Sequence, residues 1–138
     1  MAASIYLGNK ILDHLLLGKS MTMPSKIWVS LHTGDAGASG TEVLPSSWPS
    51  YTRIDANMGE AGIQGAFKTV LSKKTKNAKQ LLWPPYNGTG TITIKGIALW
   101  TQATGGNLLF YGALSSEKTL SPSDEIVIHV DGLVIEAL

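Results

Sequence analysis

A chain of 138 residues, 43% hydrophobic and only 15% charged, is long enough for one packed domain and too apolar for general disorder. A formal net charge of +1 supplies no long-range field to recruit nucleic acid or an anionic membrane, and the absence of cysteine excludes disulfides and thiolate metal sites. No apolar run reaches the roughly 18 residues of a membrane span, and the N-terminus lacks the basic-then-apolar pattern of a signal peptide, so the chain reads as cytoplasmically made.

The first predicted element is a helix from Ser4 to Leu17. Ile5, Leu12 and Leu16 recur at helical spacing, beside an adjoining stripe of Leu7, Ile11 and Leu15. Ser4 caps its start, and Gly18 closes its end in a left-handed conformation. An apolar arc this broad needs cover on more than one side. Packing on the chain's own sheet is the plainer account, and an intersubunit contact the sharper one.

Ile27 to His32 alternates as a strand, with Ile27, Val29 and Leu31 inward and Trp28, Ser30 and His32 outward. Gly34 to Ser50 is rich in Gly, Ser and Pro without a period and reads as a long loop, functional or mobile. Tyr51 to Asp55 predicts a short strand, and the three glycines from Gly59 to Gly65 a connection. Ala66 to Leu71 reads as a strand running into a polar, basic segment that carries Lys73, Lys74, Lys76 and Lys79. Leu81 to Trp83 is a short apolar run stopped by Pro84 and Pro85, which donate nothing to a ladder.

Thr91 to Trp100 changes parity: Ile92 and Ile94 share one face, Ile97 and Leu99 the other. A bulge at Lys95 and Gly96 puts both pairs inward. Gly105 and Gly106 then separate the runs Ile97 to Trp100 and Leu108 to Tyr111, the signature of a β-hairpin. Leu108 to Ala113 is apolar on both faces, as in a central or subunit-covered strand. Ser121 to Asp124 is a turn. Glu125 to Asp131 alternates with Ile126, Ile128 and Val130 inward, Gly132 breaks it, and Leu133 to Ile135 returns as the last strand. One helix and about eight short strands predict a mainly all-β fold. The expected domain is single, spanning 1–138, with the helix at 4–17 and an antiparallel β-sandwich, a jelly roll among its topologies, at 27–138.

Reactive chemistry is sparse. His32 and Asp35 could face a cation, but a strand end followed by an Asp-stabilised turn explains them better. His14 and His129 read as surface or structural residues, and no Gly-x-Ser-x-Gly motif supports nucleophilic hydrolysis. Gly88 and Gly90, like Gly105 and Gly106, lead into strands and lack the helix N-terminus of a phosphate loop. Asn87 to Thr89 matches a glycosylation sequon that carries little weight without a secretory signal. The four lysines read as a solvated loop, or as an electrostatic contact with an acidic neighbouring subunit or a surface glycan. They lack the aromatic interleaving of a nucleic-acid site. Among the tryptophans, Trp28 is expected outward and Trp48 lies in the Pro/Ser-rich loop. Exposed aromatics anchor interfaces or stack on sugars, whereas packing beneath the loop is the plainer reading.

The blocks Tyr6 to Asn9, Leu12 to Leu16, Trp28 to Thr33, Tyr51 to Arg53, Gly96 to Trp100 and Gly105 to Leu114, in this order, resemble a family of small virion proteins of tailed bacteriophages, usually labelled tail fibre or minor structural proteins. The resemblance implies a β-rich, non-enzymatic component of the virion, of the tail-fibre or capsid-decoration (cement) kind. The expected partners are the chain itself as a dimer or trimer, and the major capsid or tail and baseplate proteins. A host-surface glycan is the partner if the chain is instead a receptor-binding module at the tail tip. No cofactor, metal or catalytic residue is expected. The expected contact residues are Ile5, Leu12, Leu16, Trp28, Trp48, Tyr51 and Arg53, with Lys73, Lys74, Lys76 and Lys79 as an electrostatic set.

Overall fold

The structure, a computed structural model, describes residues 1–137. Its elements in chain order are β1 (Ala2–Ala3), α1 (Ile5–Leu17), β2 (Trp28–His32), β3 (Ile54–Asp55), β4 (Lys74–Lys76), β5 (Leu81–Leu82), β6 (Ile92–Trp100), β7 (Leu108–Leu120), β8 (Val127–Ile128) and β9 (Val134–Glu136). An antiparallel five-stranded sheet runs in the order β1-β7-β6-β2-β3, and two further ladders pair β4 with β9 and β5 with β8. The fold is thus mainly antiparallel β with one short helix. Its sandwich character is uneven: the second layer is split into two short ladders, because Pro84 and Pro85 stop β5 and the turn at Gly132 separates β8 from β9.

The centre is the hairpin of β6 and β7. Its turn contains Gly105 and Gly106, both in the left-handed region at φ 61° and 73°, where a side chain is strained. The register breaks between Ile94 and Gly96, as the parity change requires. There Lys95 alone stands opposite four residues of β7, Leu114 to Glu117. Ile94, Ile97 and Leu99 are consequently all buried. One core joins these side chains and Val29, Leu31 and Leu109 to Leu81, Trp83, Ile126, Leu133 and Ile135 of the smaller layer.

The structure corrects several local expectations, among them the strand at Ala66 to Leu71, where only isolated bridges form at Phe67 and Leu71. Ser30 and His32 point away from that core yet are fully enclosed, because the long loop folds back over them. Val43 donates to the Leu31 carbonyl, Ala36 is buried, and Gly37 sits where any Cβ would strike the Tyr111 ring at 2.5 Å. Lys74–Lys76, read as a basic loop, is strand β4. It follows a two-residue turn of Ser72 and Lys73, both at positive φ, closed by reciprocal backbone bonds between Leu71 and Lys74. Beyond Ile126 the expected inward alternation fails, with Ile128 half-buried and Val130 exposed, since only Val127–Ile128 find a ladder partner. Finally, Trp48 is not an exposed anchor. It is wholly buried, its ring centroid 5.6 Å from those of Tyr51 and Tyr86, and its indole N–H donates to Ser50 Oγ.

Two buried asparagines organise the irregular segments. Asn77 donates from Nδ2 to the carbonyls of Lys79 and His129 and accepts from Leu133 N–H, tying three stretches of chain together. Asn57 Nδ2 faces the carbonyls of Gly62 and Gln64 at 3.1 Å and thereby shapes the glycine-rich connection. Neither role leaves a mark in hydrophobic periodicity.

Candidate assembly surface

Helix α1 begins where its sequence says it should. Ser4 is the N-cap, its Oγ accepting from Leu7 N–H at 3.1 Å, and Gly18 closes the C-terminus at φ 67°. The Ser4 backbone N–H donates to the Leu109 carbonyl, and its hydroxyl donates to the Leu108 carbonyl, so the helix root is stapled to β7. Within α1 the core absorbs Leu7 fully, and the half-buried Tyr6 packs against it.

The remaining apolar residues have no cover. Ile5 is 84% exposed, Leu12 57%, Leu15 71% and Leu16 75%, with Ile11 also exposed. At 100° per residue these five and Leu7 lie within about half the helix circumference, and Asn9, Asp13, Lys10 and His14 share the rest with Tyr6 and the exposed Leu17. Packing against the chain's own sheet therefore holds only for Leu7 and, in part, Tyr6. Monomers seldom carry so large a contiguous apolar face.

Gly8 lies in the middle of the uncovered face. A Cβ there would meet no atom of the chain within 4 Å, and its φ is not in the left-handed region. Glycine inside a helix costs roughly 1 kcal/mol relative to alanine, and nothing within the chain requires it here. Beside the helix root opens an apolar groove of about 320 Å³, walled by Ile27, Phe67, Val70, Leu99, Phe110 and Ile135. Leu109, which holds Ser4, lines it too. The groove was not foreseen from the sequence, because its walls come from five separated segments. Gly8 offered a signal: a glycine within a strongly periodic helix.

The other expected contact residues fall elsewhere. Trp28 is half-buried, across from Trp100 on one side and Asp55 on the other. Tyr51 is buried, accepting from Leu31 N–H and donating to Glu42; burial, reinforced by the Glu42 charge, raises its pKa far above normal. Arg53 grips Glu42 through Nη2 at 2.8 Å and Nε at 2.9 Å and donates from Nη1 to the carbonyls of Gln102 and Gly105. Its guanidinium also stacks 3.9 Å above the Trp100 ring. Arg53 thus locks the long loop to the glycine hairpin, so both Tyr51 and Arg53 serve the fold rather than present a free surface.

The lysines are largely engaged with acids of the same chain. Lys79 pairs with Glu60 at 2.9 Å, Lys74 lies 3.9 Å from Glu136, and Lys76 acts on Asp131, which Lys68 also holds below its usual range. The basic cluster is therefore mostly compensated.

The histidine region closes on itself. His32 Nε2 lies 2.7 Å from Ser30 Oγ, and Nδ1 lies 2.8 Å from Thr41 Oγ1, while Trp100 Nε1 donates to Ser30. Burial pushes the imidazole below its ordinary pKa, against the opposing charge of Glu42. Asp35 accepts from Gly37 N–H, the Asp-stabilised turn expected from the sequence. Among the described residues no group of three or more His, Asp or Glu is placed to hold a metal, and no helix is long and apolar enough to cross a membrane.

An antiparallel β body bearing one capped helix, apolar over half its surface and uncovered, defines a β-rich protein whose most distinctive outer feature is an open apolar face. The family model described as Podophage GP4 fiber I protein gp80 matches residues 2–136, and the chain belongs to that family. It is accordingly a phage fibre structural protein and a component of the virion. Among curated proteins no sequence match accompanies this one.

Proposed function

We propose that this chain is a fibre subunit of a tailed-bacteriophage particle that works entirely through assembly contacts, with the uncovered face of α1 as the principal one. The observation that carries the reading is that face, on a helix whose caps and root are otherwise fully specified. Covering it contributes about 25 cal/mol per Å² before the entropic cost of association. The family's fibre designation favours a fibre position over capsid decoration. A catalytic role has no foothold in the Ser30 and His32 pair, since both are enclosed and each polar atom already has a partner. The partners are copies of the chain and neighbouring virion proteins. A receptor- or glycan-binding role loses the exposed Trp48 on which it leaned.

The test is electron microscopy of particles assembled with the wild-type chain or with a Leu12→Glu/Leu16→Glu variant. Wild type is expected in fibres, at few copies per particle, and the variant is expected to fold, with an unchanged circular dichroism spectrum, yet be missing from particles. Wild type found across the capsid surface, or a variant incorporated normally, overturns the reading.

A further inference from the structure

The uncovered face of α1, Gly8 and the groove at the helix root share one explanation. We infer that two copies of this chain associate about a two-fold axis, with their α1 helices crossing at Gly8 and the distal leucines of each entering the groove of the other. The inference deepens the fibre-subunit reading, resting on it only in taking α1 as a contact.

Glycine is the weakest helix former after proline, so its place inside a well-capped helix needs a reason. The chain itself supplies none, because space around a Cβ is open and the backbone is ordinary helix. A second helix lying across this point supplies one: without a Cβ the two backbones approach more closely and gain dispersion contacts along the flanking residues. Ile5, Ile11, Leu12 and Leu15 surround Gly8 on the same face and would form that flank.

Area identifies the occupant. The five exposed side chains of the face present on the order of 500 Å², short of the roughly 800 Å² per partner of a stable interface. The groove wall, with the exposed Val70 in it, and the exposed Leu17 at the end of α1 extend that area toward what such an interface needs. Helix and groove thus form one self-complementary surface, the requirement for an isologous contact in which each copy gives what it receives. Leu16 lies about 12 Å along the axis from Gly8, far enough to leave the crossing point and reach the partner's helix root. There the groove opens beside Leu109, and Lys73 at its edge suits the negative end of an incoming helix C-terminus.

Sedimentation analysis of the purified chain over a concentration series, with Gly8→Ala, Gly8→Leu and Val70→Glu, tests the inference. Wild type is expected to form a discrete dimer. Gly8→Ala should melt at a higher temperature as a dilute monomer yet dimerise about tenfold or more weakly, a combination that a purely intrachain glycine does not produce. Gly8→Leu should remain monomeric, and Val70→Glu should weaken the dimer without altering the helix. Gly8→Ala dimerising as tightly as wild type, a discrete trimer, or a wild type still monomeric at roughly 100 μM overturns the inference. A monomeric wild type that microscopy still finds in fibres leaves the fibre reading intact. A Gly8-dependent dimer missing from particles keeps the two-fold contact and sinks the fibre reading.

Discussion

Enclosed between Ser30 and Thr41, the imidazole of His32 is held neutral, its folded pKa lying below the 6.5 of an unconstrained histidine. The neutral form is therefore favoured by folding. The resulting stability is fully present above pH 6.5 and is lost as the pH falls below that value toward the folded pKa. At Asp55 burial acts to raise the pKa, but the Lys26 ammonium and the N–H groups of Asn57 and Gly59 outweigh it, and the carboxyl lies below 3.8. Its contribution is lost only at still lower pH, so the window from about pH 6.5 down to 4.5 isolates histidine. Urea unfolding across that window should show stability falling with pH by up to about 1.4 kcal/mol per unit, and His32→Gln should flatten the slope. An unchanged slope in that variant assigns the effect to another group. The sequence placed His32 correctly on the second face of β2. That this face is enclosed follows from the loop that returns over it, which strand alternation does not encode.

At the scale of elements, the turn of Ser72 and Lys73 places two ordinary residues at φ 52° and 64°, where a Cβ is strained. Asn-Gly is the usual pair for such a turn, and its absence hides the hairpin from a reading of the chain. Replacing the pair with Asn-Gly should stabilise the protein by roughly 1 kcal/mol, raising the melting temperature by about 3 °C. No gain would mean that contacts of the Ser72 and Lys73 side chains offset the strain. Helix α1 is the opposite case: Ser4, Gly18 and the spacing between them disclose its limits, because capping is a local interaction. What covers its apolar arc depends on distant residues, and the plainer expectation, its own sheet, holds only for Leu7 and, in part, Tyr6.

For the whole molecule, a net charge of +1 and a basic segment balanced by Glu60, Glu136 and Asp131 leave apolar burial as the main source of cohesion between subunits. Association through α1 should then vary less than about threefold between low and high salt and weaken on cooling. A dissociation constant that rises steeply with salt would move the contact to the lysines. Periodicity, caps, a glycine turn and a parity break were enough to disclose the antiparallel class, the helix, the central hairpin and its bulge, since each depends on neighbours close along the chain. The ordered blocks of the sequence likewise disclosed the phage-virion resemblance that the fibre family match bears out. Tertiary structure alone decided which aromatic is hidden, how the second layer divides and which apolar face stays open. Those outcomes depend on segments far apart in the chain, such as the loop over His32 and the five stretches around the groove, whose meeting no local pattern records.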